Sequence, residues 1–332
     1  MGDSDLNVER SSNFYDSPYL TEYYDLWAEE HKKTLKTQDD ALIYLAALKR
    51  DLLRERQLSQ DNPFTILDIG TGTGRVLVNL ANDAVHAGID LSNVELIGVD
   101  NEPAMIKRSQ EVEKETESMT HVAKVIWALG EAVSLTSMPA LKNRLGRVDS
   151  LIFAVGSISH LISPEEPQLF MSQVATLLTP KSGRAYLPIQ NDLISRRSFT
   201  TVADSDTTWA ELNVAKDFPS KLYPGIIYKQ YPIEKSATDG PIKTDHYRFH
   251  VIRKTDSGDE EAIEKNNITI GLRIWDEGEF LQWAKNAGLH CSEVCYSAHE
   301  TYYVFKLSDS GESPPDLKEI HQKSISSAVL FS

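Results

Sequence analysis

The sequence predicts an α/β fold: a mostly parallel sheet with helices on both faces. Short apolar runs recur between residues 64 and 189, separated by helix-length segments. Strands covered on both faces of a parallel sheet read as continuous apolar runs and do not alternate with polar residues. The first of these runs also leads directly into glycines at alternate positions, "TILDIGTGTGR". A glycine-rich strand-to-helix turn is where open α/β sheets bind ligands.

The elements follow in chain order. Leu42, Leu45, Leu48 and Leu52 recur at helical spacing, with Asp39 and Asp40 at the start of the segment and Arg54 and Arg56 near its end, as a helix dipole favours. Residues 1–60 are therefore read as an N-terminal helical cap. The core, residues 61–190, alternates strand "FTILDIG", a helix from Arg75, strand "VELIGVD", a helix from Pro103, strands "AKVIWALG" and "VDSLIFAVG", a helix from Pro164 and strand "GRAYLPI". In "SPEE", Ser163 is positioned as an N-cap, Pro164 at the first turn and Glu166 as the partner in a capping box. From 191 to 270 the alternation stops. The runs "GIIYKQYPIE", "KTDHYRFHVIRK" and "ITIGLRIW" predict an inserted antiparallel sheet, a candidate lid over a substrate. Residues 271–307 return to the core with a helix, "DEGEFLQWAKNAGL", and two strands, "HCSEVCYS" and "TYYVFKL"; residues 308–332 form a polar tail with a double proline, expected to be mobile.

Composition limits the function. Lys and Arg number 34 against 49 Asp and Glu, a net charge of −15, so there is no basic footprint for a nucleic acid or an anionic membrane. The N-terminus lacks a basic start followed by an apolar run, and no stretch of the chain approaches the roughly 20 apolar residues of a membrane span. A soluble, cytoplasmic protein is expected. Its two cysteines, Cys291 and Cys295, supply no disulfide framework. No metal site is expected. His246 and His250 are four apart on a strand, a separation of roughly 13 Å, and Cys291, Cys295 and His299 lack a fourth soft ligand.

What lies on the glycines is settled by elimination. No Gly-Lys-Ser/Thr follows them, which excludes a P-loop. A dinucleotide site needs a third small residue, and that position is Arg75 or Leu77 depending on the starting glycine. The pattern that fits is Asp68-x-Gly70-x-Gly72-x-Gly74: backbone free to approach a ligand, beside a carboxylate that calls for a positive centre. Asp100, ending the second strand, can accept two hydrogen bonds from a ribose diol. Glu131, after the third strand, can accept from an adenine amino group. Ribose, adenine and a cationic amino acid together describe S-adenosylmethionine.

"LDIGTGTGR", "IGVDNEPAMI", "GEAVSL", "VDSLIFAVGSISHL" and "LLTPKSGRAYLPI" resemble, in order, the motifs of class I S-adenosylmethionine-dependent methyltransferases over residues 65–189. "YYDLWAEEH" is similar to the opening of small-molecule members, including amino-sugar N-methyltransferases. The resemblance implies a Rossmann-like, seven-stranded sheet whose last strand is antiparallel, and S-adenosylmethionine as cofactor. It implies that Asp68, Gly70, Thr71, Gly72 and Gly74 cradle the methionyl end and Asp100 the ribose. Asn101 and Met105 would flank the nucleoside, Glu131 and Ala132 bracket the adenine, Ala154 lie beneath the sulfonium, and Tyr24 roof the methyl group. Thr71 replaces the commoner cysteine or serine, and residues 91–95 lengthen the link into the second strand.

His160 follows the fourth strand at the edge where open α/β sheets bind ligands, and is the candidate base. Trp209, Tyr228, Tyr247 and Arg273 are candidates for lining the acceptor pocket. The expected reaction is N- or O-methylation of a small molecule, by a monomer or homodimer. The alternatives are an S-adenosylmethionine-binding cyclase or isomerase of the same fold that does not transfer methyl, and a non-catalytic regulatory protein that retains the fold.

Overall fold

The computed structural model describes residues 17–34, 39–58, 62–195, 213–255, 257–297, 299–308 and 325–326. Trp209 and most of the 308–332 segment lie outside the described residues. The chain divides into two compact units, residues 38–202 with 273–332 and residues 1–37 with 203–272. The two helices of segment 1–60 thus fall into different units.

In the core unit, strands β1 (Phe64–Ile69), β2 (Val94–Asp100), β3 (Lys124–Leu129), β4 (Ser150–Ile152) and β5 (Arg184–Gln190) are joined by β13 (Leu289–Tyr296) and β14 (Glu300–Leu307). Their order is β13-β14-β5-β4-β1-β2-β3. β14 runs antiparallel to both neighbours, while β1 to β5 pair in parallel. The seven-stranded sheet with its last strand reversed is therefore present. A two-residue strand, β15 (Ile325–Ser326), adds to the edge parallel to β13, and two more short strands of this unit, β6 (Ile194–Ser195) and β12 (Trp275–Asp276), pair with each other in parallel.

Every residue of β1 and β2 is buried, as continuous apolar strands require. Helices α2 (Asp39–Leu58) and α3 (Arg75–His86) cover one face, where Tyr44, Leu48, Leu77 and Leu80 pack with Ile66, Leu96 and Tyr186. On the other face Phe170 of α5 (Glu166–Leu177) meets Phe153, and Phe280 of α6 (Glu277–Asn286) meets Tyr303 and Phe305. β13 carries the two cysteines, both buried free thiols whose burial pushes their pKa values up.

Two local expectations shift. β4 is only three residues long, and Val155, at φ 52°, then turns the chain out of the extended region. α5 begins at Glu166, two residues later than expected, with no side-chain N-cap bond. Only the reciprocal half of the capping box forms, the Ser163 N–H donating to the Glu166 carboxylate at 2.8 Å.

The antiparallel unit contains α1 (Leu20–Thr34) and strands β7 (Lys216–Pro219), β8 (Ile226–Gln230), β9 (Lys235–Asp239), β10 (Ile242–Lys254) and β11 (Glu260–Arg273), the last residue of which, Arg273, belongs to the core unit. Their order is β11-β10-β8-β7, with β9 paired to β10. β7 and β9 add to the three strands expected. Tyr23 of α1 packs against Phe218, Tyr228 and Phe249. The buried Glu22 carboxylate accepts from the Lys221 and Leu222 amides and from the Ser220 and Tyr228 hydroxyls. Burial raises the Glu22 pKa, but these donors bring it below the ordinary value.

Within the core unit one charged network joins α2 to the sheet. Asp51 accepts from Arg184 at 3.0 Å and from the Tyr186 hydroxyl at 2.9 Å, and Arg50 bridges Tyr186 to Glu293. Arg184 and Asp51 are both buried, so removing one partner strands the other's charge. Asp51→Ala is expected to cost about 3–5 kcal/mol of unfolding free energy, measured by urea denaturation.

Candidate active site at the carboxyl edge of the sheet

The chain runs β1–β2–β3 in one direction from β1, then returns to β4 and β5 on its other side. The loops after β1 and β4 therefore part, opening the crevice where such sheets bind ligands.

At the end of β1, Gly70, Gly72 and Gly74 all have positive φ (62°, 57° and 85°). A Cβ on Gly74 would lie 2.7 Å from the Trp127 ring, so both conformation and space demand glycine there. Asp68 is fully buried. Its Oδ2 accepts from the Thr71 hydroxyl at 2.7 Å, while Oδ1 has no hydrogen-bond partner. Burial pushes the Asp68 carboxyl up to about 7, even though Thr71 and Arg75 hold it down.

Asp100, at the end of β2, accepts from the Gly72 N–H at 2.8 Å through Oδ2 and from the Glu102 N–H at 2.9 Å through Oδ1. It thus ties the first loop to the second. Burial raises its pKa and these backbone donors oppose the rise. Met105 is buried on α4 (Pro103–Glu115), whereas Asn101 is exposed. After β3 the Gly130 N–H donates to the Asp100 carbonyl at 2.9 Å. Glu131 is exposed and Ala132 half-buried.

Three contributors escaped the sequence reading. Leu129 is 56% exposed at the end of β3. Trp127 packs so closely on β2 that a Cβ on Gly98 would lie 2.4 Å from its ring. Phe153 lies 3.0 Å from where a Gly70 Cβ would be. A glycine inside an apolar strand was the one available signal for Trp127, since it marks a close approach.

After β4, Ala154 is buried and the chain turns through Val155 and Gly156 into a 3₁₀ turn, Ser157–His160. His160 is exposed, yet the protein crowded around it lowers its pKa from the ordinary imidazole value. Asp68, the glycines, Asp100, Glu131, Ala154 and His160 thus all stand at strand ends on one edge. Tyr24 does not belong to this unit; it lies half-buried on α1, stacked on Trp27 with ring centroids 6.0 Å apart.

The pocket candidates fare differently. Tyr228 is fully buried in the antiparallel unit, its hydroxyl bound to Glu22, so it is a core residue with no free face for a ligand. Tyr247 is half-buried on β10. Arg273 is buried too, its guanidinium bonded to backbone carbonyls. His246 pairs with Thr269 and His250 packs on Tyr231.

The raised Asp68 pKa has a definite sign. The folded chain holds a proton that the unfolded chain releases near its ordinary value of 3.8, so unliganded stability falls as pH rises from about 4 to about 7. In Asp68→Asn that decline is expected to flatten, leaving the variant the more stable at pH 8. Melting temperatures of both proteins across pH check it.

Residues 60–188 match a family described as "Methyltransferase domain". The chain is 29% identical over 269 residues to the N-methyltransferase FrzE of a Cladobotryum species, across 80% of this chain and 87% of that one. Its fold is similar to that of an S-adenosylmethionine-dependent methyltransferase from Clostridium acetobutylicum (TM-score 0.56, 13% identity, 86% of this chain and 100% of the other). It is also similar to Streptomyces venezuelae DesVI (TM-score 0.51, 15% identity, 86% and 98%). The match over the core and the relative along most of both chains, together with the strand order and the glycine turn, support a class I S-adenosylmethionine-dependent methyltransferase.

Proposed function

We propose that the chain methylates a nitrogen of a small-molecule amine. The observation that carries the cofactor's placement is the Asp68 Oδ1 atom, fully buried and without a partner beside a left-handed glycine turn. Such an orphan is costly unless a donor meets it, and the α-ammonium of the methionyl group is a donor of the right charge. Asp100 has lone pairs beyond those that Gly72 and Glu102 engage, which suits a ribose diol. The exposed Leu129 offers an apolar surface for adenine beside Asn101, Met105, Glu131 and Ala132. Ala154 would face the sulfonium.

When bound, S-adenosylmethionine supplies a methyl carbon made electrophilic by its sulfonium. The protein's task is then to deliver an unprotonated nucleophile at near-attack distance. His160, with its pKa lowered, is neutral at pH 7 and can take a proton from the acceptor ammonium at a ring nitrogen. Of the cations near this edge, Arg75 is paired with Asp40 and Arg273 with carbonyls, so neither is placed to stabilise a phenolate or carboxylate. That supports nitrogen over oxygen, as does the name of the N-methyltransferase relative.

Calorimetry is expected to show binding of S-adenosylmethionine and S-adenosylhomocysteine but not of NAD or ATP. Asp100→Ala should weaken that binding, and an unchanged dissociation constant would remove Asp100 from the site. In a screen of amines, phenols and carboxylic acids, S-adenosylhomocysteine should be released with an amine. Turnover with phenols alone would refute the nitrogen reading.

With the amine so found, His160→Ala should lower turnover by roughly 10²-fold and leave cofactor affinity unchanged. Wild-type turnover should rise with pH through the lowered imidazole pKa to a plateau, and the variant should lose that limb.

A further inference from the structure

We propose that Arg273 is a positioning residue for this site: its buried guanidinium closes on three successive carbonyls and fixes the turn that presents His160 and Ile162 at the carboxyl edge. The inference rests on the role given to His160 above.

The turn closes local backbone hydrogen bonds, such as Ser159 N–H to the Gly156 carbonyl at 2.8 Å, but its entry is strained. β4 ends after three residues, and the next two positions with positive φ are Val155 (52°) and Gly156 (62°). A β-branched residue is an outlier there, and persists only where surrounding structure over-determines it. Gly156 is hemmed in as well, since a Cβ would lie 2.9 Å from the Gln190 side chain. Beyond the 3₁₀ turn the chain crosses Leu161–Ser163 before α5, and backbone carbonyls in such a crossing need donors from elsewhere.

Arg273 supplies them. Its Nε donates to the Leu161 carbonyl at 2.7 Å, and one Nη donates to those of Ile162 at 2.8 Å and Ser163 at 3.0 Å. Trp275 and Trp283 flank the guanidinium, with ring centroids 5.8 and 5.9 Å away. The same Trp275, itself fully buried, donates its Nε1–H to the Ser159 hydroxyl at 3.0 Å. His160 therefore sits between two anchored points, Ser159 before it and Leu161–Ser163 after it, and it is exposed.

Ile162, inside the clamp, is also 43% exposed. A buried arginine placed only for stability is better matched by a carboxylate. One whose fork is divided among consecutive carbonyls sets backbone shape, which a lysine cannot reproduce because it lacks the planar array of donors. The exposed pair, an imidazole and an isoleucine two residues apart, suits an acceptor with an apolar group near its nitrogen.

The test compares Arg273→Met and Arg273→Lys with the wild type, by hydrogen exchange of the 157–166 segment and by the His160 C2–H resonance, assigned from its loss in His160→Asn. In the methionine variant, exchange in that segment should rise at least tenfold while β1, β2 and α3 keep their protection. The His160 line should shift or broaden, and S-adenosylmethionine affinity should be unchanged. The lysine variant should recover part of the protection. Wild-type exchange and an unmoved His160 line in the methionine variant would overturn the proposal. So would loss of protection spread evenly over the core unit, the mark of a merely structural arginine. If the methionine variant does not fold, the same readings on the lysine variant decide. No acceptor enters these measurements, so a failure of the base role in His160→Ala stays distinguishable from a failure here.

Discussion

The parallel register of β1 to β5 is the constraint on which the rest depends. Hydrogen-bonded pairing such as Asp68 with Gly98 and Asp100 with Leu129 forces each carboxyl end onto the same edge. Residues distant in sequence therefore arrive together through the pairing of their strands. Cross-ties then set their spacing: Asp100 accepts from Gly72, and Gly130 donates to Asp100. Three loops are in this way held by one carboxylate and its own carbonyl. The crevice follows from topology, because the strand order reverses between β1 and β4.

That edge holds its groups in costly states. Asp68 carries a buried oxygen without a partner, and Val155 carries a left-handed backbone. Neither helps the unliganded chain. Both occur where a ligand is expected to contribute the missing interactions, which is where proteins concentrate strain and unsatisfied polarity. The compensation lies elsewhere in the core unit, in the apolar packing of α2 and α3 and in the α6 face that covers Tyr303 and Phe305.

Legibility from sequence tracked how local each feature's cause is. The glycine turn was legible because left-handed backbone leaves a residue-type mark at fixed spacing. The buried strands were legible because burial on both faces leaves an apolar run. β9 left no such mark, as all its residues are exposed and its pairing depends on β10. The start of α5 was misplaced since the Glu166 N–H donates to the Ser163 carbonyl, at 3.2 Å, and not to the Ser163 hydroxyl. Arg273 and Tyr228 were read as pocket residues because a long polar side chain in an apolar run invites that reading. Their partners lie 112 and 206 residues away, and no local pattern records such pairings. The glycine-rich edge was thus largely readable, and the long-range contacts around it were not.

The two thiols of β13 have a practical side. Cys291 and Cys295 are buried, and burial keeps both protonated well above neutral pH, so the native protein should be silent toward alkylating probes, which react with thiolates. A cysteine introduced at Leu129, exposed at the end of β3, or at Ile162, exposed between the 3₁₀ turn and α5, would then carry a fluorophore or spin label alone. Occupancy of the crevice could be followed on the otherwise unaltered chain.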